Sequence, residues 1–171
     1  PKDKKTVGER LARLALARTY GREDIVEAGP IPDPLVLEPG DKFGSTVHNG
    51  GVDSEGRNVV DAYLYIGFRN DKGGLKARDG GLIRGFQAKI NGVWHSVEAD
   101  EHVYVPESGE THLVQLALPP NTDPKSVTAV RYAWDDYPDC NLVNGDGLPC
   151  GPFELEAKPS STEETHAEAA E

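Results

Sequence analysis

Methionine is absent from the chain, cysteine occurs only twice, and long apolar runs are missing. Without a stretch of about 18 consecutive apolar residues no membrane-spanning helix is expected, and the first residues lack the basic, apolar and small-residue order of a signal peptide. A chain that has no Met and starts at Pro1 is not expected to be a whole translated product; processing or truncation is expected to have removed what preceded it. Clustered cations are scarce too. The net charge of −11 argues against a nucleic-acid surface, which needs Lys and Arg gathered to displace phosphate counterions. Residues 1–26 carry seven Lys/Arg against four Asp/Glu, whereas residues 154–171 carry six Glu against Lys158 alone, so part of the acidic excess sits in a tail.

Catalytic and metal signatures are missing as well. No G-x-S-x-G elbow surrounds Ser45, Ser54, Ser96, Ser108 or Ser126, and nucleophilic catalysis needs such a residue beside a base. His48, His95, His102, His112 and His166 match no zinc pattern, although a hairpin could bring His95 near His102. The glycines of residues 69–81 lack the Gly-Lys-Ser/Thr ending of a phosphate-binding loop, which leaves a solvated loop or hairpin. Asp135, Asp136, Asp139, Asn141, Asn144 and Asp146 are rich in oxygen ligands. An EF-hand alignment from Asp139 nevertheless puts Val143 and Asn144 where Asp/Asn and Gly belong, and Cys150 where the closing Glu belongs. Turn-forming side chains that bond their own backbone explain the same composition, so neither a metal nor a cofactor is expected.

What is present is β-structure. Gly 19 and Pro 13 make up almost a fifth of the 171 residues, and short apolar-alternating segments recur between turn signals. Strands are expected at Leu35–Leu37, Lys42–His48, Val59–Phe68, Leu82–Lys89, Val93–Val97, His102–Val105, Leu113–Leu118, Val127–Trp134 and Phe153–Leu155. Asn49–Asn58 is expected as a loop, and Asn91-Gly92 is the strongest hairpin signal. Six or more such strands predict a mainly β fold, a β-sandwich or jelly-roll-like domain over residues 35–157. Ahead of it one amphipathic helix is expected. Thr6 and Glu9 have capping-box spacing, Val7, Leu11, Leu14 and Ala15 share a face that Leu16 widens, and Gly21 can end the helix. Four prolines in residues 28–41 then make an extended connector, which places a boundary at residue 34. Residues 158–171 lack bulky apolar side chains and are expected to be a disordered acidic tail.

Cys140 and Cys150 bracket a segment with the Gly and Pro needed to turn back on itself. Two readings stand: free thiols in a reducing compartment, or a Cys140–Cys150 disulfide in a secreted, lysosomal or other oxidising setting. The spacing and the processed-looking start favour the disulfide.

Val130-Arg131-Tyr132-Ala133-Trp134, followed by Pro138, Asn141-Leu142, Asn144, Gly147-Leu148-Pro149 and Pro152-Phe153, resembles the C-terminal signature of the sialate O-acetylesterase family. These are serine esterases of the SGNH-hydrolase type that remove acetyl groups from sialic acids or related sugars. Pro1, Lys5, Val7-Gly8, Arg10-Leu11-Ala12, Leu16-Ala17, Tyr20-Gly21, Asp24-Ile25-Val26 and Gly29-Pro30 are similar to that family's last hydrolase-domain helix and its exit. The chain departs from the pattern at Val143, at Cys140 and Cys150, and in the Asn49–Asn58 insertion. The resemblance implies that residues 1–34 belong to an absent α/β hydrolase domain. The nucleophilic serine would lie far upstream and the general-base histidine directly before Pro1, so no catalytic residue is expected in this chain. Arg131, Tyr132, Trp134, Asn141 and Asn144 become candidates for a substrate or domain interface, with the absent hydrolase portion or another chain as partner and an acetylated sugar as ligand. A non-enzymatic alternative is a carbohydrate-binding or assembly module in which Trp94, Tyr132, Trp134 and Tyr137 stack on sugars.

Overall fold

The β-branched and aromatic run from Val59 to Phe68 lies in a long strand, and from Ala62 onward its side chains alternate between two faces, as extended backbone requires. Ala62, Leu64, Ile66 and Phe68 are buried, while Tyr63 and Tyr65 are half-buried on the opposite face. In this computed structural model the residues described are 4–34, 36–37, 45–52, 55, 58–105 and 111–159. Along the chain they form α1 (Lys4–Arg18), β1 (Ile31–Pro32), β2 (Val36–Leu37), β3 (Ser45–Val52), β4 (Asn58–Arg69), β5 (Leu75–Ala77) and β6 (Phe86–Ile90). These are followed by β7 (Val93–Ser96), β8 (Glu98–Tyr104), β9 (Thr111–Ala117), β10 (Val127–Tyr132), β11 (Leu142–Asn144), β12 (Phe153–Glu156) and β13 (Lys158–Pro159).

The fold is mainly β. One antiparallel sheet has the order β1-β4-β9-β8 with β3 also on β4, a second has the order β12-β10-β6-β7, and β11 and β5 form a third, two-stranded pair. Core residues come from both large sheets: Leu64, Ile66, Val114 and Leu116 from the first, Phe86, Ala88, Val130 and Tyr132 from the second. Each fully buried aliphatic or aromatic side chain contributes roughly 1.5–3 kcal/mol. Aromatic contacts tie the sheets together. Phe153 of β12 lies 6.0 Å from Phe68 of β4 in an edge-to-face arrangement, 6.0 Å from Phe86, and stacked at 5.7 Å on Tyr132.

Several local expectations hold. Asn91 and Gly92, with φ of 49° and 83°, turn β6 into β7, the twist a two-residue hairpin needs. Gly21, with φ of 66°, ends α1, and Arg22 N donates to Leu16 O in the wrapped geometry of a left-handed cap. Others are corrected. The helix begins at Lys4, so Thr6 is inside it and not at its cap. Strand β3 runs to Val52 with an irregular register after Asn49, where a loop was expected; residues 42–44 of the expected strand lie outside those described. The expected solvated loop at residues 69–81 contains β5, whose Leu75 is fully buried and which pairs with β11. Residues 82–85 are outside the strand expected from Leu82, and β10 stops at Tyr132, which leaves Trp134 off the sheet. His95 pairs opposite Ala88 and His102 opposite Leu113, in different sheets, so the two histidines are not neighbours across a hairpin. Lys158 and Pro159, expected in the tail, run parallel to Val36 and Leu37; the rest of that tail lies outside the described residues.

Candidate functional site

The segment after β10 is built by a change of backbone direction at Ala133. Its φ of 54° is left-handed, a conformation that costs a non-glycine residue on the order of 1–3 kcal/mol and persists only where the surroundings hold it. Here the hold is Ala133 N donating to Gly85 O at 3.0 Å, with Gly85 itself at φ 103°. A side chain at Gly85 would run into Cys140, so glycine is required there for space as well as for φ. The turn carries Trp134 and Tyr137 out to the surface, 51% and 97% exposed.

Beyond that turn the chain dives back and is fastened by two buried amides. Asn141 donates through Nδ2 to Asp79 Oδ1 at 2.8 Å and Leu82 O at 3.0 Å, while its Oδ1 accepts from Arg84 N at 2.8 Å. Asn144, fully buried, donates to Asn70 O at 3.0 Å and Ala28 O at 3.4 Å and accepts from Leu148 N at 3.0 Å. This satisfies polar groups that burial would otherwise penalise. It also fastens the proline-rich connector to the loop, where Gly29 sits so close to Pro149 that a Cβ would overlap the Pro149 carbonyl.

Tyr132 is inside the core, with its hydroxyl accepting from Leu142 N at 2.9 Å; burial pushes its phenol well above the ordinary value. Arg131 faces the other way. Its guanidinium lies 4.0 Å from the centre of the Trp94 ring, and Nε donates to Gln87 Oε1 at 2.6 Å. The disulfide expectation is corrected: Cys140 and Cys150 are both free thiols. Both pack as small apolar groups in or against the core, Cys150 Sγ donates to Gly151 O at 3.4 Å, and the loop gets its shape from Asn141 and Asn144. Burial, with the Cys140 thiol adding to it, pushes the Cys150 thiol up to about 12, so it stays protonated at neutral pH.

Two clusters were not foreseen. Arg84 bridges Asp139 through Nε at 2.9 Å and Asp79 through Nη2 at 2.7 Å, and the bond to Asp79, reinforced by Asn141, holds the Asp79 carboxyl down at about 2. No local pattern marks this group, because its members are separated along the chain. His112 Nδ1 lies 3.1 Å from Glu101 Oε1, which also accepts from Leu75 N at 3.1 Å. Alternation along the paired β8 and β9 could have pointed to that pair. Among the described residues no serine or cysteine is bonded to a histidine, and no three His, Cys, Asp or Glu side chains converge on a metal-sized site. No described helix is long and apolar enough to cross a membrane.

A cavity of about 430 Å³ opens beside the turn, walled by residues 82–87 on one side, Ser96, Val97 and Glu98 on a second, and Ala133, Asp135, Pro138 and Asp139 on a third. It borders the Arg84 cluster. A smaller one, about 310 Å³, lies between Asp33 and Pro34 of the connector and the Tyr65–Phe68 part of β4.

No protein-family model and no curated protein matches this sequence. Among solved structures, a carbohydrate acetylesterase from Xanthomonas citri is similar over 91% of this chain, with a TM-score of 0.62 and 26% sequence identity. The similarity covers 28% of that structure's length. The relationship is thus to part of a carbohydrate esterase, without singling out a sialate-specific one.

Proposed function

We propose that this chain is the C-terminal part of a carbohydrate ester hydrolase related to the sialate O-acetylesterases, a β-sandwich that supports a catalytic domain and does not hydrolyse esters alone. The observation that carries the reading is the similarity itself, nearly the whole of this chain against little more than a quarter of a carbohydrate acetylesterase. The helix supports it. No residue of α1 is buried, and Val7, Leu11, Leu16 and Tyr20 are 37–74% exposed. An apolar stripe left uncovered among the described residues fits a helix that completes a domain contributed by other residues. In that domain a serine giving its proton to histidine would attack the acetyl carbonyl, the sugar would leave as its free hydroxyl with that proton, and water would then release acetate from the acetyl-enzyme.

The test compares the 171-residue chain with a longer product extended before Pro1, each given 4-nitrophenyl acetate and an acetylated sugar. The longer product is expected to turn over both esters and the short chain neither. Turnover by the short chain, or an extension that lacks a serine and histidine, removes the reading. A second reading, a carbohydrate-binding module without hydrolysis, is favoured by the exposure of Trp134 and Tyr137 beside the cavity. An inactive longer product that still binds sugar would select it.

A further inference from the structure

The cavity beside Ala133 has no part in the supporting role just proposed, yet it has the make-up of a ligand site. Its volume of about 430 Å³ falls within the roughly 300–1,000 Å³ usual for small-molecule sites. Part of its wall is left-handed backbone, Ala133 at φ 54° bonded to Gly85 at φ 103°, and such conformations concentrate where ligands are held.

The polar groups are arranged for hydroxyls. Arg84 is clamped by Asp139 and Asp79, which leaves Nη1 without a partner among the described residues: an oriented donor whose side chain no longer has to be ordered by a ligand. Glu98 and Asp135 line the cavity with carboxylates that bond to no described group, so both can accept. Hydrogen bonds from a hydroxyl to a carboxylate, or from a guanidinium to a hydroxyl, are charge-assisted and stronger than neutral ones. Leu82 and Pro138 add apolar surface of the kind that packs on the C–H face of a sugar ring.

Charge decides between sugars. The lining holds one cation, Arg84, against Glu98, Asp135 and Asp139, and Arg84 is already shared between Asp139 and Asp79. The whole chain carries −11. A ligand bearing its own carboxylate or phosphate would meet like charge without a free cation to offset it.

We infer that this cavity is a subsite for a neutral saccharide and discriminates against anionic sugars. The choice of ligand class rests on the carbohydrate-ester reading; the discrimination goes beyond it, because sialic acids are anionic. Trp134 and Tyr137, exposed on the same loop, are available to carry the contact to a second sugar unit.

The test is titration of the ¹⁵N-labelled 171-residue chain, followed by its amide spectrum, with cellobiose, mannobiose, methyl β-galactoside and N-acetylneuraminic acid. At least one neutral sugar is expected to shift the amides of Gly85, Glu98, Ala133 and Asp135, with a dissociation constant on the order of 1 mM. N-acetylneuraminic acid is expected to bind at least about tenfold more weakly, and the double variant E98A/D135A to lose about tenfold for the neutral sugar while keeping the dispersed spectrum of the folded chain. Silence of the cavity amides with all three neutral sugars overturns the inference. So does N-acetylneuraminic acid binding as tightly as the best of them, or the double variant binding as well as the parent. Ester hydrolysis by the longer product is a separate readout: an active enzyme with a silent cavity defeats the subsite alone, and a binding cavity in an inactive product defeats the hydrolase alone.

Discussion

Helix α1 and the loop between β10 and β12 invert the usual relation between regular backbone and anchorage. The helix has fifteen residues of regular structure and buries none of them; it is tied to the chain by Arg18, which forks onto Glu27 at 2.8 and 3.0 Å, and by Arg13, which reaches Val26 O at 3.4 Å. The loop has little regular structure, yet Asn141, Leu142, Val143, Asn144, Leu148 and Cys150 are all buried. A helix satisfies its own backbone and can wait for a surface to cover its apolar face. An irregular segment has no such option, and its buried polar groups find partners only if side chains supply them.

The largest test of that contrast is Asn144→Ala, which removes bonds to Ala28 O, Asn70 O and Leu148 N from a fully buried position. Urea unfolding is expected to show a loss of about 3 kcal/mol, because the backbone groups left behind stay desolvated. Tyr132→Phe keeps the stacked ring but takes the hydroxyl from Leu142 N; a loss of about 1.5 kcal/mol is expected in the same experiment. A change near zero in both would mean that packing alone fastens the loop. Cys150→Ala should cost about 1 kcal/mol, the price of a small cavity, and should be indifferent to reductant since both cysteines are thiols. Destabilisation of the parent chain by reductant would instead reveal a bridge.

On the helix side, Leu11, 62% exposed, can become Ser with a change within about 0.5 kcal/mol in the 171-residue chain. A larger loss on the same substitution in the longer product would show that the added residues cover the helix. The smallest effect is electrostatic. The Asp79 carboxyl is held down at about 2 by Arg84 and then Asn141, against an ordinary 3.8, so its contribution is complete above about pH 4 and is lost as the pH falls through about 2. The carboxyl ¹³C shift of Asp79 should follow that midpoint; a midpoint near 4 would show the clasp with Arg84 to be loose in solution.

Much of the fold could be read ahead of the structure where a residue acts on its own neighbours. The run Val59–Phe68 suits a pleated, half-buried surface, and Gly21 and Asn91-Gly92 fit the left-handed conformations that end a helix and close a hairpin. The candidate site was legible only as a place. Arg131, Tyr132, Trp134, Asn141 and Asn144 stand close together in the sequence, but they divide among a sheet face, the core, the surface and the two buried fastenings of the loop. Strand β5 was missed because it is three residues long among glycines and needs β11 to exist. Thr6 shows the opposite error, a correct local pattern outvoted by a helix that starts earlier.

By itself, then, the sequence determined the β character, the hairpin, the helix end and the absence of any recognisable catalytic motif, since each depends on backbone preferences or on residues a few positions apart. Only the tertiary structure decided that the cysteines stay thiols, that two amides fasten the loop, and that Arg84 is clamped beside a cavity. Asn144 reaches partners as far away as Ala28, and Arg84 meets Asp139 across the domain. Contacts of that kind depend on how the sheets fold together, and nothing in the spacing of residues along the chain encodes them.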